Sequence, residues 1–78
     1  MTLRELRRGQ SARIDHIDTR DPGVVRLMVL GLIEGSEVQF ENAAIGGDPM
    51  EISVFGTSIS VRRQQADSFK VSPLTTNV

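Results

Sequence analysis

From Val25 to Gly35 the chain reads Val-Arg-Leu-Met-Val-Leu-Gly-Leu-Ile-Glu-Gly, and no other stretch restricts its fold as strongly. Leu27 and Leu30 are three apart, so they share one helical face, with Met28 and Leu32 flanking it. Asp21-Pro22 supplies a start, because aspartate accepts orphan N–H groups and proline tolerates the first helical position. Gly31 suits the left-handed residue that ends a helix, with Leu32 packing back as the hydrophobic contact of the cap. Gly35 then turns the chain into an alternating run: Val38 and Phe40 on one side, Glu37, Gln39 and Glu41 on the other. The segment predicts one short helix, Pro22 to Leu30, delivered onto a sheet, with Leu27 and Leu30 facing the core.

The remaining segments supply that sheet. Thr2-Leu3-Arg4-Glu5 has the capping-box spacing, which predicts a single turn burying Leu3 and Leu6. Between Gln10 and Asp18 the apolar positions Ala12, Ile14 and Ile17 alternate and then slip by one, which predicts a bulge near Asp15-His16. Ser36 to Ala43 reads as a second strand, and Asn42 to Pro49 as an irregular loop with two glycines. Glu51 to Phe55 and Thr57 to Val61 predict a hairpin turning at Phe55-Gly56-Thr57, with Ile52 and Val54 set against Ile59 and Val61. Arg62 to Asp67 predicts one helical turn, and Phe69 and Val71 a closing strand; residues 73–78 read as a flexible tail beyond a domain of residues 1–72. Five short strands, a short helix between the first two and a one-turn helix before the last describe a small, mainly β barrel. An SH3-like barrel fits this order, and an OB-fold shares its strand count.

Composition narrows the function classes. Seventy-eight residues make one domain, and the lack of cysteine removes disulfides and thiol chemistry and fits a reducing cytosol. No apolar run approaches the roughly 20 residues of a membrane span, and no charged-then-apolar leader opens the sequence, so a soluble domain is expected. Nine basic and ten acidic residues give a net charge of -1, too balanced for a chain built to neutralise phosphates. Arg4, Arg7, Arg8, Arg62 and Arg63 would form a basic patch if the chain ends meet, which keeps a nucleic-acid-binding barrel as an alternative, although no aromatic is interleaved with them.

Chemistry is thinly represented. Gly46-Gly47-Asp48-Pro49 lacks the lysine of a phosphate loop and precedes a strand. Asp15-His16-Ile17-Asp18 is the densest set of metal-ligating side chains, but alternation sends His16 and Asp18 to one face and Asp15 to the other, so no metal site is expected. His16 has no nucleophile and acid arranged around it, and no catalytic or cofactor-binding residue is assigned.

Four motifs together carry a family resemblance. Leu6-Arg7-Arg8-Gly9-Gln10, Arg26 to Gly35, Gly47-Asp48-Pro49 and Val61-Arg62-Arg63-Gln64-Gln65-Ala66 resemble the FeoA family in order and spacing, from Leu3 to about Val71. Val25 stands where that family usually has the first arginine of a pair, and Ile45 where its loop usually has proline. The resemblance implies an SH3-like barrel acting as a cytosolic accessory of bacterial ferrous iron uptake. Its implied partner is FeoB, a membrane iron transporter with a cytosolic GTPase domain, whose transport or GTPase cycle it would modulate. The same domain type at the C-terminus of iron-dependent repressors implies a metal-responsive regulatory module as an alternative.

The short helix is the element that does not belong to the sheet, and it is therefore the expected docking element. Arg26, Met28, Leu32 and Ile33 are the expected partner-binding residues, an apolar rim beside one arginine. Self-association through the helix or a strand edge remains open.

Overall fold

The computed structural model describes residues 1–74. A 3₁₀ turn, Leu3–Glu5, opens the chain, and the Thr2 N–H donates to Glu5 Oε1 at 2.7 Å, the reciprocal arm of a capping box. Strand β1 (Ser11–Ile17), helix α1 (Pro22–Val29), strands β2 (Glu37–Ala43), β3 (Met50–Val54) and β4 (Thr57–Val61), the one-turn helix α2 (Arg63–Ala66) and strand β5 (Phe69–Pro73) follow. The five strands form one antiparallel sheet in the order β4-β3-β2-β1-β5. A single buried cluster takes residues from every strand and both helices, and from the opening turn through Leu3 and Leu6.

Helix α1 begins as its sequence requires: the Asp21 carboxylate accepts the Gly23 N–H at 2.8 Å and Pro22 occupies the first turn. It ends in a Schellman cap. The Leu32 N–H donates to Leu27 O at 3.1 Å and the Gly31 N–H to Met28 O at 3.0 Å, with Gly31 at φ +124°. Ser36 ties this end to the sheet, its buried hydroxyl donating to Gly31 O at 3.1 Å.

Two strand details differ from, or sharpen, the expectations. The bulge in β1 is present: Ile14 pairs with Val71 and His16 with Lys70, leaving Asp15 as the extra residue. The hairpin register is not the expected one. Ile52 pairs with Ile59 as anticipated, but Val54 faces Thr57 and Val61 faces Met50, so β3 starts at Met50. With Ile52 opposite Ile59 the turn holds two residues, Phe55-Gly56, with φ of +51° and +76°, and one antiparallel register then sets Val54 against Thr57.

Strand β5 runs to Pro73, one residue beyond the expected domain boundary at 72. Pro73 closes β5 opposite Ala12, on a sheet edge where a missing N–H costs nothing, and the Leu74 N–H donates to Ser11 O at 2.9 Å. The rest of the expected tail, 75–78, lies outside the described residues.

Candidate docking surface

Helix α1 has two apolar faces but buries only one. Val24 and Leu27 are in the core and Met28 packs against it half-buried, while Val25, Arg26, Val29 and Leu30 stay exposed. Positions 25, 26, 29 and 30 recur at the spacing of one helical stripe, so the exposed face is itself a stripe, with one arginine in it. A helix apolar on all sides is ordinarily buried on all sides. This one is not.

The anticipated docking residues therefore divide. Arg26 is exposed and forms no salt bridge among the described residues, and Ile33 is 46% exposed. Met28 is largely committed to the core. Leu32, expected at the rim, is 0% exposed, whereas Leu30, expected in the core, is 56% exposed. The cap explains the exchange. Reversal at Gly31 folds Leu32 back beneath the helix onto Leu27 and leaves Leu30 on the outer side.

Two residues to which the sequence assigned no docking role complete the surface. Val29 is 82% exposed and Phe55 77% exposed. Phe55 reaches α1 from the β3–β4 turn: a Cβ placed on Gly31 would meet Phe55 Cδ2 at 3.7 Å and Val54 Cγ1 at 3.6 Å. Those are ordinary van der Waals distances, so it is the φ of +124° that favours glycine at position 31. The turn position of Phe55 was the available signal, because an aromatic in a two-residue hairpin turn has no core to enter. Its left-handed backbone suits asparagine or glycine and costs a phenylalanine on the order of 1 kcal/mol.

Phe55 also forms one wall of an open groove of about 620 Å³ lined by Ile33, Glu34, Gly35, Ser36 and Glu37. A smaller groove of about 300 Å³ shares Phe55 and Glu37 and is also lined by Ser53 and Leu74.

The other candidate clusters are internally occupied. The bulge turns Asp15 outward, where it accepts Ser72 Oγ–H and, at 3.2 Å, the Arg13 Nε–H; the Ser72 hydrogen bond, foremost, holds its carboxyl below the usual value. Asp18 is held by Arg20, whose Nε lies 3.0 Å from Oδ1, and His16 Nδ1 sits 3.7 Å from Glu34 Oε2. These groups do not converge, and no cluster of three metal-ligating side chains occurs among the described residues. The Arg20 side-chain and backbone hydrogen bonds draw the Asp18 carboxyl down to about 2 from 3.8. A depressed carboxylate stabilises the fold fully above its unfolded value and loses that contribution as pH falls through the folded one. We expect a carboxyl NMR titration to place Asp18 near pH 2 and Arg20→Gln to return it toward 3.8; an Asp18 midpoint already near 3.8 in the unsubstituted chain would remove the ion pair from solution.

Of the five arginines expected to form a basic patch, Arg4, Arg8 and Arg63 have engaged side chains. Arg4 NH1 lies 2.8 Å from Asp67 Oδ2, and Arg8 Nε donates to Glu41 O at 3.4 Å. Arg63 is half-buried, with its backbone N–H on Asp48 Oδ1 at 3.0 Å and its Nε–H on Gly47 O. This guanidinium clamps a loop, and the patch loses it.

Comparison with known proteins agrees with this geometry. A family model described as the FeoA domain matches residues 1–73. The solution structure of FeoA from Chlorobium tepidum superposes with a TM-score of 0.88 at 31% identity, covering 100% of this chain and 74% of that one. FeoA from Stenotrophomonas maltophilia, a procaryotic SH3 domain protein crystallised with zinc, gives 0.80 at 30% identity over 92% of this chain and 89% of that one. That likeness decides between the two barrels: the fold is SH3-like. A manganese-dependent transcriptional repressor in complex with manganese shares the fold alone, with a TM-score of 0.83 at 17% identity over 95% of this chain and 36% of that one. No curated protein matches the chain.

Proposed function

The chain belongs to the FeoA family of proteins associated with ferrous iron transport, and from that premise we propose that it docks on the cytosolic part of a FeoB-type transporter and modulates its transport or GTPase cycle. One observation carries the reading. The longer helix of the fold leaves Val25, Val29 and Leu30 in water beside Arg26, and its end abuts the exposed Phe55 ring. Exposed apolar groups grouped on one element around a single cation have the composition of an interface centre. The S. maltophilia relative, described as a candidate activating factor of bacterial ferrous iron transport, supports the same role. An accessory role also suits a fold in which Asp15, Asp18 and His16, the densest set of reactive side chains, do not converge. No helix among the described residues is long and apolar enough to cross a membrane.

The test is calorimetric titration of the chain with the transporter's cytosolic domain. Leu30→Asp is expected to weaken binding by roughly tenfold or more, the loss of a central apolar anchor, with the melting temperature unchanged. Full-strength binding by this variant would remove α1 from the interface. A repressor-like, metal-responsive role instead predicts that ferrous iron, added anaerobically to the chain alone, perturbs its spectrum.

A further inference from the structure

The groove beside Phe55 carries a charge that docking alone leaves unspecified. Glu34 and Glu37 both line it, next to Ile33 and the Phe55 ring. Neither carboxylate is neutralised by a lysine or arginine among the described residues. The neighbour of Glu34 is His16, 3.7 Å away. Arg13 stands opposite Glu37 in the β1–β2 register, but its ion pair is with Asp15, Nε lying 3.2 Å from Oδ1, and it forms none with Glu37. An apolar slot thus has two carboxylates on its rim with no arginine or lysine ion pair, whereas Asp15, Asp18 and Asp67 are paired with arginines and the remaining acids do not line the groove.

Resting on the docking reading above, we propose that this groove takes a peptide segment of the partner that presents a large aliphatic or aromatic side chain flanked by lysine or arginine. The apolar side chain enters between Ile33 and Phe55, and the flanking cations reach Glu34 and Glu37. Charge complementarity selects this occupant. An anionic membrane surface would be repelled by the same carboxylates. A second copy of this chain would set the acidic rim against itself across a two-fold axis. The backbone strain at Phe55 fits a binding role, since an aromatic is retained at a turn position where it gains nothing from the core.

The experiment is an NMR titration of the chain with a short amphipathic Leu/Lys peptide and with a Leu/Glu peptide of equal length. The Leu/Lys peptide is expected to shift the amides of Ile33, Glu34, Glu37 and Phe55 saturably and to bind about tenfold or more tightly than its counterpart. Glu34→Lys combined with Glu37→Lys, both at exposed positions, reverses that preference. Phe55→Asn abolishes binding of the Leu/Lys peptide while the melting temperature holds or rises; a merely structural ring would instead lower it. Equal affinity for the two peptides overturns the proposal, as do shifts confined to another face. Shifts that depend on the chain's own concentration without peptide also overturn it, in favour of a second copy. Titration with the transporter's cytosolic domain separates this inference from the reading it rests on. Equal binding by the unsubstituted chain and the double variant overturns the groove and leaves the transporter reading intact. Leu/Lys binding without transporter binding supports the groove and overturns the transporter reading.

Discussion

Leu32→Ala is expected to lower the free energy of unfolding by about 2–5 kcal/mol, while Leu30→Ala, two positions earlier, changes it by less than about 0.5 kcal/mol. The two leucines have the same chemistry and flank the same glycine, so burial alone separates them: 0% against 56% exposed. Truncating Leu32 opens a cavity among Leu27, Val54 and the rest of the one core, where close packing allows little collapse. A domain this small has total stability on the order of 5 kcal/mol, so the variant would sit near its unfolding midpoint at ambient temperature. Urea unfolding followed by circular dichroism measures both. Equal losses at the two positions would contradict the cap geometry at Gly31.

Arg63→Met is expected to cost about 2–3 kcal/mol, the largest effect of any charged side chain here, because one guanidinium serves three interactions at once. The Arg63 Nε–H satisfies Gly47 O, its NH1 approaches Arg4 O at 3.4 Å, and its guanidinium lies 5.8 Å from the centroid of the Phe40 ring. Methionine keeps much of the aliphatic stem and removes only the planar donor set, so the loss of stability reports the clamp and not the packing. Arg63→Lys should recover only part of it, since a point ammonium cannot span two carbonyls and an aromatic face. Amide exchange localises the effect. The Gly47 N–H, bonded to Ala44 O at 2.7 Å, should exchange faster in the variant than in the parent chain, ahead of any change in β1. A uniform rise across the sheet would mean that the clamp is part of global stability and does not hold one loop.

Local chemistry made much of the fold legible. Asp21-Pro22 and Gly31 marked the ends of α1, the slip between Ile14 and Ile17 marked the bulge at Asp15, and alternation marked the strands. The place of the hairpin was legible but not its pairing, because one antiparallel register with Ile52 opposite Ile59 sets Val54 against Thr57 and Val61 against Met50. The candidate surface was half legible. Arg26 and Ile33 are exposed as expected, but Leu30 and Leu32 exchanged places, Met28 packs half-buried against the core, Val29 carried no local signal, and Phe55 was marked only by its turn position.

The sequence by itself determined which elements exist, where they stop and that they share one core, because caps, turns and side-chain periods act over a few residues. Only the tertiary structure decided which apolar residues were surplus to that core. Val24, Leu27, Val29 and Leu30 are interchangeable in composition, and the outcome depended on which side of α1 the sheet meets and on how the chain reverses at Gly31. Those are contacts between distant segments, such as Phe55 reaching Gly31 across the barrel end, and no local pattern along the chain carries them.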